Sequence, residues 1–174
     1  MFSVAKILEL LPIEGSLDIK TLEKALKLTK KVERSRLDIA LNALLKLGLI
    51  DKVNTDSLRR IDSTDFITAT IRCSSKGYSF AVRDDGEEDI YIKDTFLNHA
   101  WHGDRVLLRI NREGIRRRSP EGSVLCVLER SKSNILATIN STDDFLTGRP
   151  LDERIIGLIE LPKEDSKYLE KHGP

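Results

Sequence analysis

The sequence predicts an α+β multidomain chain with three successive units: helices closed by a small hairpin, a five-stranded β-barrel, and the start of a second β unit. Three observations carry this expectation. Apolar residues recur at helical spacing through residues 1–47. Between residues 65 and 130 the period shortens to two, in five short runs separated by turn signals. Two further strand-like runs follow residue 133.

In the first unit, Val4, Ile7, Leu8 and Leu11 lie on one helical face, and Pro12 with Gly15 ends that helix. Asp18 is the expected N-cap of a second helix through Leu28, with Leu22, Ala25 and Leu26 as its apolar stripe. A basic turn, Lys30-Lys31, leads into a third helix of about Glu33 to Leu47, with Leu37, Leu41, Leu44 and Leu45 inward, and Gly48 stops it. Leu49–Val53 and Leu58–Ile61 pair across Asn54–Ser57. Three helices followed by a two-stranded wing is the order of a winged helix-turn-helix, assigned to residues 1–62.

The second unit, residues 65–130, has strand candidates at Phe66–Arg72, Tyr78–Arg83, Asp89–Ile92, Arg105–Asn111 and Gly122–Glu129. Gly103-Asp104 makes the turn into the fourth strand, and Arg116-Arg117-Arg118-Ser119-Pro120 forms the loop before the fifth. Five short strands in this arrangement match the count of an OB-fold barrel. Residues 131–174 add strands at Asn134–Ile139 and Ile155–Leu161, too few to close another barrel. They are read as a partial second OB-like domain, and the chain as the N-terminal part of a longer enzyme or a fragment of one.

Composition narrows the function classes. No run reaches the roughly 18 apolar residues of a membrane span. The first residues lack a basic segment and a small-residue cleavage site, so no signal peptide is expected. The 2 cysteines, Cys73 and Cys126, make no disulfide framework and are read as reduced thiols of a cytoplasmic protein. Cys73, Cys126, His99, His102 and His172 show no metal-ligand spacing. The net charge of +1 hides an uneven distribution. Residues 1–64 carry 12 Lys and Arg against 9 Asp and Glu, residues 65–130 carry 11 against 11, and residues 131–174 carry 6 against 8. Nucleic-acid binding depends on local patches, and residues 105–118 hold six arginines against Glu113 alone. Asp84, Asp85, Glu87, Glu88 and Asp89 gather in a different hairpin, expected to keep polyanions away from that end.

The functional signal lies between Cys73 and Lys93. Side chains alternate faces along a strand, so Tyr78 and Phe80 share one face. Asp84-Asp85-Gly86 supplies a hairpin turn, and Ile90-Tyr91-Ile92 follows as the next strand. If Ala81, Ile90 and Ile92 face a core, Tyr91 joins Tyr78 and Phe80 outside. Exposed rings on neighbouring strands, flanked by Lys76 and Lys93, form a stacking platform for unpaired bases. Arg116, Arg117 and Arg118 border the groove of such a barrel and are expected phosphate contacts, with His102 as a further one. Trp101 is read equally as a stacking ring or as a plug at the barrel end. Lys30, Lys31, Arg34 and Arg36 flank the third helix, where contact with structured RNA is expected if that helix reads a duplex.

These motifs resemble the cold-shock domain. Its first RNA-binding motif, roughly Lys-Gly-Phe-Gly-Phe-Ile, is matched by Lys76-Gly77-Tyr78-Ser79-Phe80-Ala81. Its second, Val-Phe-Val-His-Phe, is matched by Ile90-Tyr91-Ile92-Lys93-Asp94, downstream as in that family. Ser79 stands where the family has glycine, which weakens the expected platform, and Lys93 and Asp94 replace its His and aromatic. Together with His102-Gly103-Asp104-Arg105-Val106 and Pro150-Leu151-Asp152-Glu153-Arg154, the three units are similar to the N-terminal region of the exoribonuclease R and exoribonuclease II family, in its cyanobacterial form. The resemblance implies single-stranded RNA as partner and 3′-to-5′ hydrolysis by a Mg²⁺-binding aspartate cluster in a downstream domain absent from this chain.

Asp84-Asp85, Asp143-Asp144 and Asp152-Glu153 are doublets in turn-like stretches and are not read as a substitute for that cluster. No catalytic residue, metal or cofactor is therefore assigned to this chain, which is expected to be inactive alone. Two other readings remain: a freestanding cold-shock RNA chaperone or translation accessory factor, and a winged-helix transcription regulator whose barrel senses a ligand, which sequence-specific duplex DNA binding by a dimer would support.

Overall fold

The computed structural model describes residues 2–63, 65–115, 118–132, 134–141, 145–155 and 157–163. Helix α1 (Val4–Leu10) begins at Ser3, whose side chain accepts the Lys6 N–H at 3.2 Å. Strand β1 (Leu17–Asp18) leads into α2 (Ile19–Ala25), and α3 (Lys31–Lys46) follows. The Glu33 carboxylate accepts the N–H groups of Lys30 and Thr29, closing the start of α3 and lowering its own pKa. Strands β2 (Ile50–Lys52) and β3 (Ser57–Arg60) complete a three-stranded sheet ordered β1-β3-β2.

Two expectations for α2 need correction. The helix ends at Ala25 rather than Leu28, because the chain turns at Lys27 with φ 55°. The Asp18 side chain makes no cap bond; it accepts the Ser57 hydroxyl at 2.9 Å instead, tying β1 to β3.

The barrel strands are β4 (Ile67–Cys73), β5 (Ser79–Arg83), β6 (Ile90–Ile92), β7 (Arg105–Arg112) and β8 (Glu121–Glu129). They close in the order β4-β5-β6-β8-β7, with β6 parallel to β8 and the other pairs antiparallel. Ala69, Ile71, Ala81, Ile90, Ile92, Val106 and Leu108 fill the interior. Register shifts along β7–β8 bend those strands around the barrel.

Val106-Leu107-Leu108 are all buried, which strict alternation does not predict. Val106 and Leu108 point into the barrel, whereas Leu107 joins Leu128 in the core of the helical unit. Phe66, Leu125 and Cys126 pack against the same core. The part of the outer face of β7 and β8 around Leu107 and Leu128 is therefore covered by the helices, and the first two units share apolar packing. Burial raises the Cys126 thiol to about 11 and is the leading cause raising Cys73; both are free thiols.

The last unit is an antiparallel sheet of β9 (Ala137–Ser141), β10 (Leu146–Pro150) and β11 (Ile159–Leu161), ordered β11-β10-β9. The run expected at Asn134–Ile139 begins later, and the one expected at Ile155–Leu161 is shorter. Strand β10 was hidden by Gly148 and Pro150, which read as chain breakers. Pro150 is tolerated because it occupies the last position of the strand. Among the described residues no helix is long and apolar enough to cross a membrane.

Closure depends on Gly122. A Cβ there would lie 2.8 Å from Ile90 Cγ2 and 2.9 Å from the Arg109 carbonyl oxygen. Gly122→Ala is expected to lower the unfolding free energy by about 1–3 kcal/mol through overpacking. Urea unfolding at constant m-value checks this; unchanged stability would show that the barrel closes with room to spare.

Candidate nucleic-acid interface

The burial of Ala81, Ile90 and Ile92 forces the intervening side chains of β5 and β6 outward. Phe80 and Tyr91 then face each other across the β5–β6 ladder, with ring centroids 5.6 Å apart and planes inclined at 60°. Both rings are half-buried. Arg72 on β4 is paired with Phe80, Tyr91 lies beside Glu121 at the parallel step, and Glu121 is paired with Arg112 on β7. One outward row thus runs Arg72, Phe80, Tyr91, Glu121, Arg112 across all five strands.

Around the rings is a hollow of about 250 Å³ lined by Phe80, Tyr91, Arg112, Arg118, Ser119 and Glu121. The Arg112 guanidinium donates to Glu121 Oε1, and Lys93 Nζ stands 3.7 Å from Glu121 Oε2. Lys93 therefore arrives at the row, but paired with a carboxylate. Arg118 is exposed, and its backbone exchanges hydrogen bonds with Ile115. Arg116 and Arg117 lie outside the described residues, as do Asp143, Asp144 and His172.

Tyr78 differs from the other two rings. It ends the Ser74–Tyr78 turn, one residue before β5, and is 56% exposed. It does not line the hollow. Gly77 takes φ +80° in this turn, where an L side chain would be strained, and Lys76 beside it is exposed. Ser79, expected to weaken the platform, is fully buried, with its hydroxyl turned inward toward the Cys73 thiol.

His102 does not stand free. Its Nδ1 accepts the Cys73 N–H at 3.1 Å, and its Nε2 lies 3.2 Å from Arg154 Nη1. It joins the end of β4 to the segment before β11. Arg154 is held in turn by Asp152, which also accepts from Lys132; these bonds keep the Asp152 carboxyl well below the usual carboxylate range.

The neighbouring Asp104 is fully buried. Its carboxylate accepts from the Trp101 N–H at 2.8 Å, the Ser131 N–H at 3.0 Å and Arg130 Nη1 at 2.6 Å. Arg130 also lies over the Trp101 ring at 4.6 Å. Trp101 is half-buried near the barrel end, with this cation on its face.

The acidic hairpin is less negative than its sequence suggests. Asp84 accepts from Arg105, and Asp85 accepts from Arg83, whose bonds lower the Asp85 pKa. At the start of α3, Lys30, Lys31, Arg34 and Arg36 are exposed, with Arg34 Nε 3.7 Å from Glu23. Among the described residues, no group of three or more His, Cys, Asp or Glu could hold a metal ion. The row can instead hold flat rings against Phe80 and Tyr91 and anions against the cations beside them.

Residues 69–127 match the family described as Ribonuclease B OB domain, and residues 5–61 match Cyanobacterial RNase R, N-terminal domain. The Acetazolamide conferring resistance protein zam of Synechocystis sp. is 36% identical over 165 residues, covering 94% of this chain and 21% of that protein. Ribonuclease R of Aquifex aeolicus is 29% identical over 148 residues, covering 85% of this chain and 20% of that enzyme. Ribonuclease R of Thermotoga maritima is 29% identical over 139 residues, covering 79% and 19%. The chain thus spans about a fifth of the length of the curated relatives it matches. Yeast Ssd1, a pseudonuclease, superposes with a TM-score of 0.46 at 18% identity over 63% of this chain and 20% of that one. The two family matches and the relatives support kinship with the N-terminal region of the RNase R family.

Asp104 holds this end of the barrel through three bonds, one of them charged on both sides. Asp104→Ala leaves Arg130 and two backbone donors to find water, at an expected cost of about 3 kcal/mol. Denaturant unfolding followed by Trp101 fluorescence measures it; a loss below about 0.5 kcal/mol would show the network to be dispensable.

Proposed function

We propose that this chain binds single-stranded RNA across the outer row of its barrel, as the substrate-recruiting N-terminal part of a 3′-to-5′ exoribonuclease of the ribonuclease R/II type. The observation that carries the reading is the paired Phe80 and Tyr91 rings on the outer face, flanked by Arg72, Arg112 and Lys93. Aromatic faces stack on any base, and cations track the backbone without reading sequence. Such a surface suits an enzyme that must accept many transcripts.

In this reading Phe80 and Tyr91 stack two bases and Tyr78 extends the platform at the turn. Lys76, Lys93, Arg116, Arg117 and Arg118 meet phosphates. His102 contributes at the edge, where Arg154 stands beside it. Hydrolysis belongs to a Mg²⁺-dependent domain outside this chain. The three helices and their sheet serve as a winged helix that assists with structured RNA. The sheet β9–β11 begins a second OB-like barrel, and the protein works in the cytoplasm. The matches to the Ribonuclease B OB domain and to the two Ribonuclease R enzymes support RNA as the partner of the barrel.

Fluorescence anisotropy with a short unstructured uridine oligomer tests the reading. Phe80→Ala and Tyr91→Ala are each expected to cost about 1–3 kcal/mol of binding. Wild-type affinity in the folded double variant would remove the rings from the interface. Labelled RNA incubated with this chain and Mg²⁺ is expected to stay whole; shortening from the 3′ end would contradict the division of labour proposed here.

A further inference from the structure

Glu121 occupies an unexpected place in this row. Among the described residues lining the hollow it is the one acid, and it stands beside Tyr91 and two cations that a phosphate would otherwise meet. Arg112 donates to one of its oxygens and Lys93 approaches the other at 3.7 Å. The Glu121 side chain is more shielded than either partner, at 26% exposure against 50% for Arg112 and 54% for Lys93. Its position is fixed by backbone pairing with both Tyr91 and Arg112. Both cations are the more exposed partners and have room to turn toward another anion.

We propose that Glu121 is a specificity-determining internal competitor, which holds Arg112 and Lys93 against single phosphates and yields them only to a strand already stacked on Phe80 and Tyr91. The proposal rests on the RNA reading of the same face. A free phosphate or a mononucleotide must displace the carboxylate from bulk concentration, at the cost of leaving Glu121 with fewer partners. A phosphate in a strand whose bases already rest on the rings arrives at a high effective concentration and competes on better terms. The carboxylate thus raises the contrast between a strand and the single nucleotides that surround it.

The test compares wild type, Glu121→Gln, and Glu121→Gln combined with Arg112→Ser. The probes are the uridine oligomer, uridine monophosphate and inorganic phosphate. Glutamine keeps the volume and removes the charge, and thermal melting confirms that the variants are folded. Exposed ion pairs are individually weak, so the single variant is expected to bind the oligomer about 2- to 10-fold tighter. Uridine monophosphate and inorganic phosphate should gain by a larger factor than the oligomer, narrowing the selectivity. Adding Arg112→Ser should reverse most of each gain.

Unchanged or weaker oligomer binding by folded Glu121→Gln, with wild type binding normally, overturns the proposal and leaves the RNA reading intact. An equal gain for oligomer and monophosphate overturns the selectivity and leaves only a general repulsion. Absence of oligomer binding by both wild type and Glu121→Gln at the lowest salt overturns the RNA reading, and the proposal with it.

Discussion

Everything on the outer face follows from how the barrel closes. Strand β6 meets β8 in parallel over only two residue pairs, Tyr91 with Glu121 and Ile92 with Gly122. That approach is possible because Gly122 carries no Cβ to strike Ile90 and the Arg109 carbonyl. Closing there buries Ile90 and Ile92 completely. By alternation it turns Tyr91 outward beside Phe80, and by register it brings Glu121 and Arg112 to the same row. One missing side chain thus sets both the stacking surface and its charge.

The other sides of the barrel are already occupied. Leu107 and Leu128 enter the core of the helical unit, so the outer face of β7 and β8 near that core is closed to ligands. The far end is held by Asp104, with Trp101, Arg130 and Ser131 bound to its carboxylate. Across it, His102 and Arg154 connect β4 to the third unit. The face of β4, β5 and β6 keeps its rings and cations at the surface because those contacts lie elsewhere.

The five barrel strands were legible because their inward residues alternate cleanly and turns separate them. Phe80 and Tyr91 were legible for the same reason: parity needs no knowledge of partners. Arg72, Arg112 and Glu121 were not, since their place in the row comes from register and from a closure between strands far apart in sequence. Tyr78 has the right parity, yet the strand starts one residue after it. Strand β1, of two residues, is too short to leave a periodic signal, and its existence depends on pairing with β3. Leu107 shows why an apolar run can defeat alternation: Val106 and Leu108 serve one core and Leu107 another. His102 was read as a phosphate contact because nothing local announces the Cys73 N–H that it accepts.

The most direct measurement is chemical-shift mapping of the isotope-labelled chain titrated with an unstructured uridine oligomer. The expected result is a contiguous set of perturbed resonances at Arg72, Phe80, Tyr91, Lys93, Arg112 and Glu121, with the buried Asp104 and the α3 cations unmoved. Perturbations confined to α3 or to the β9–β11 sheet, with Phe80 and Tyr91 silent at saturation, would contradict the assignment of this row as the binding surface.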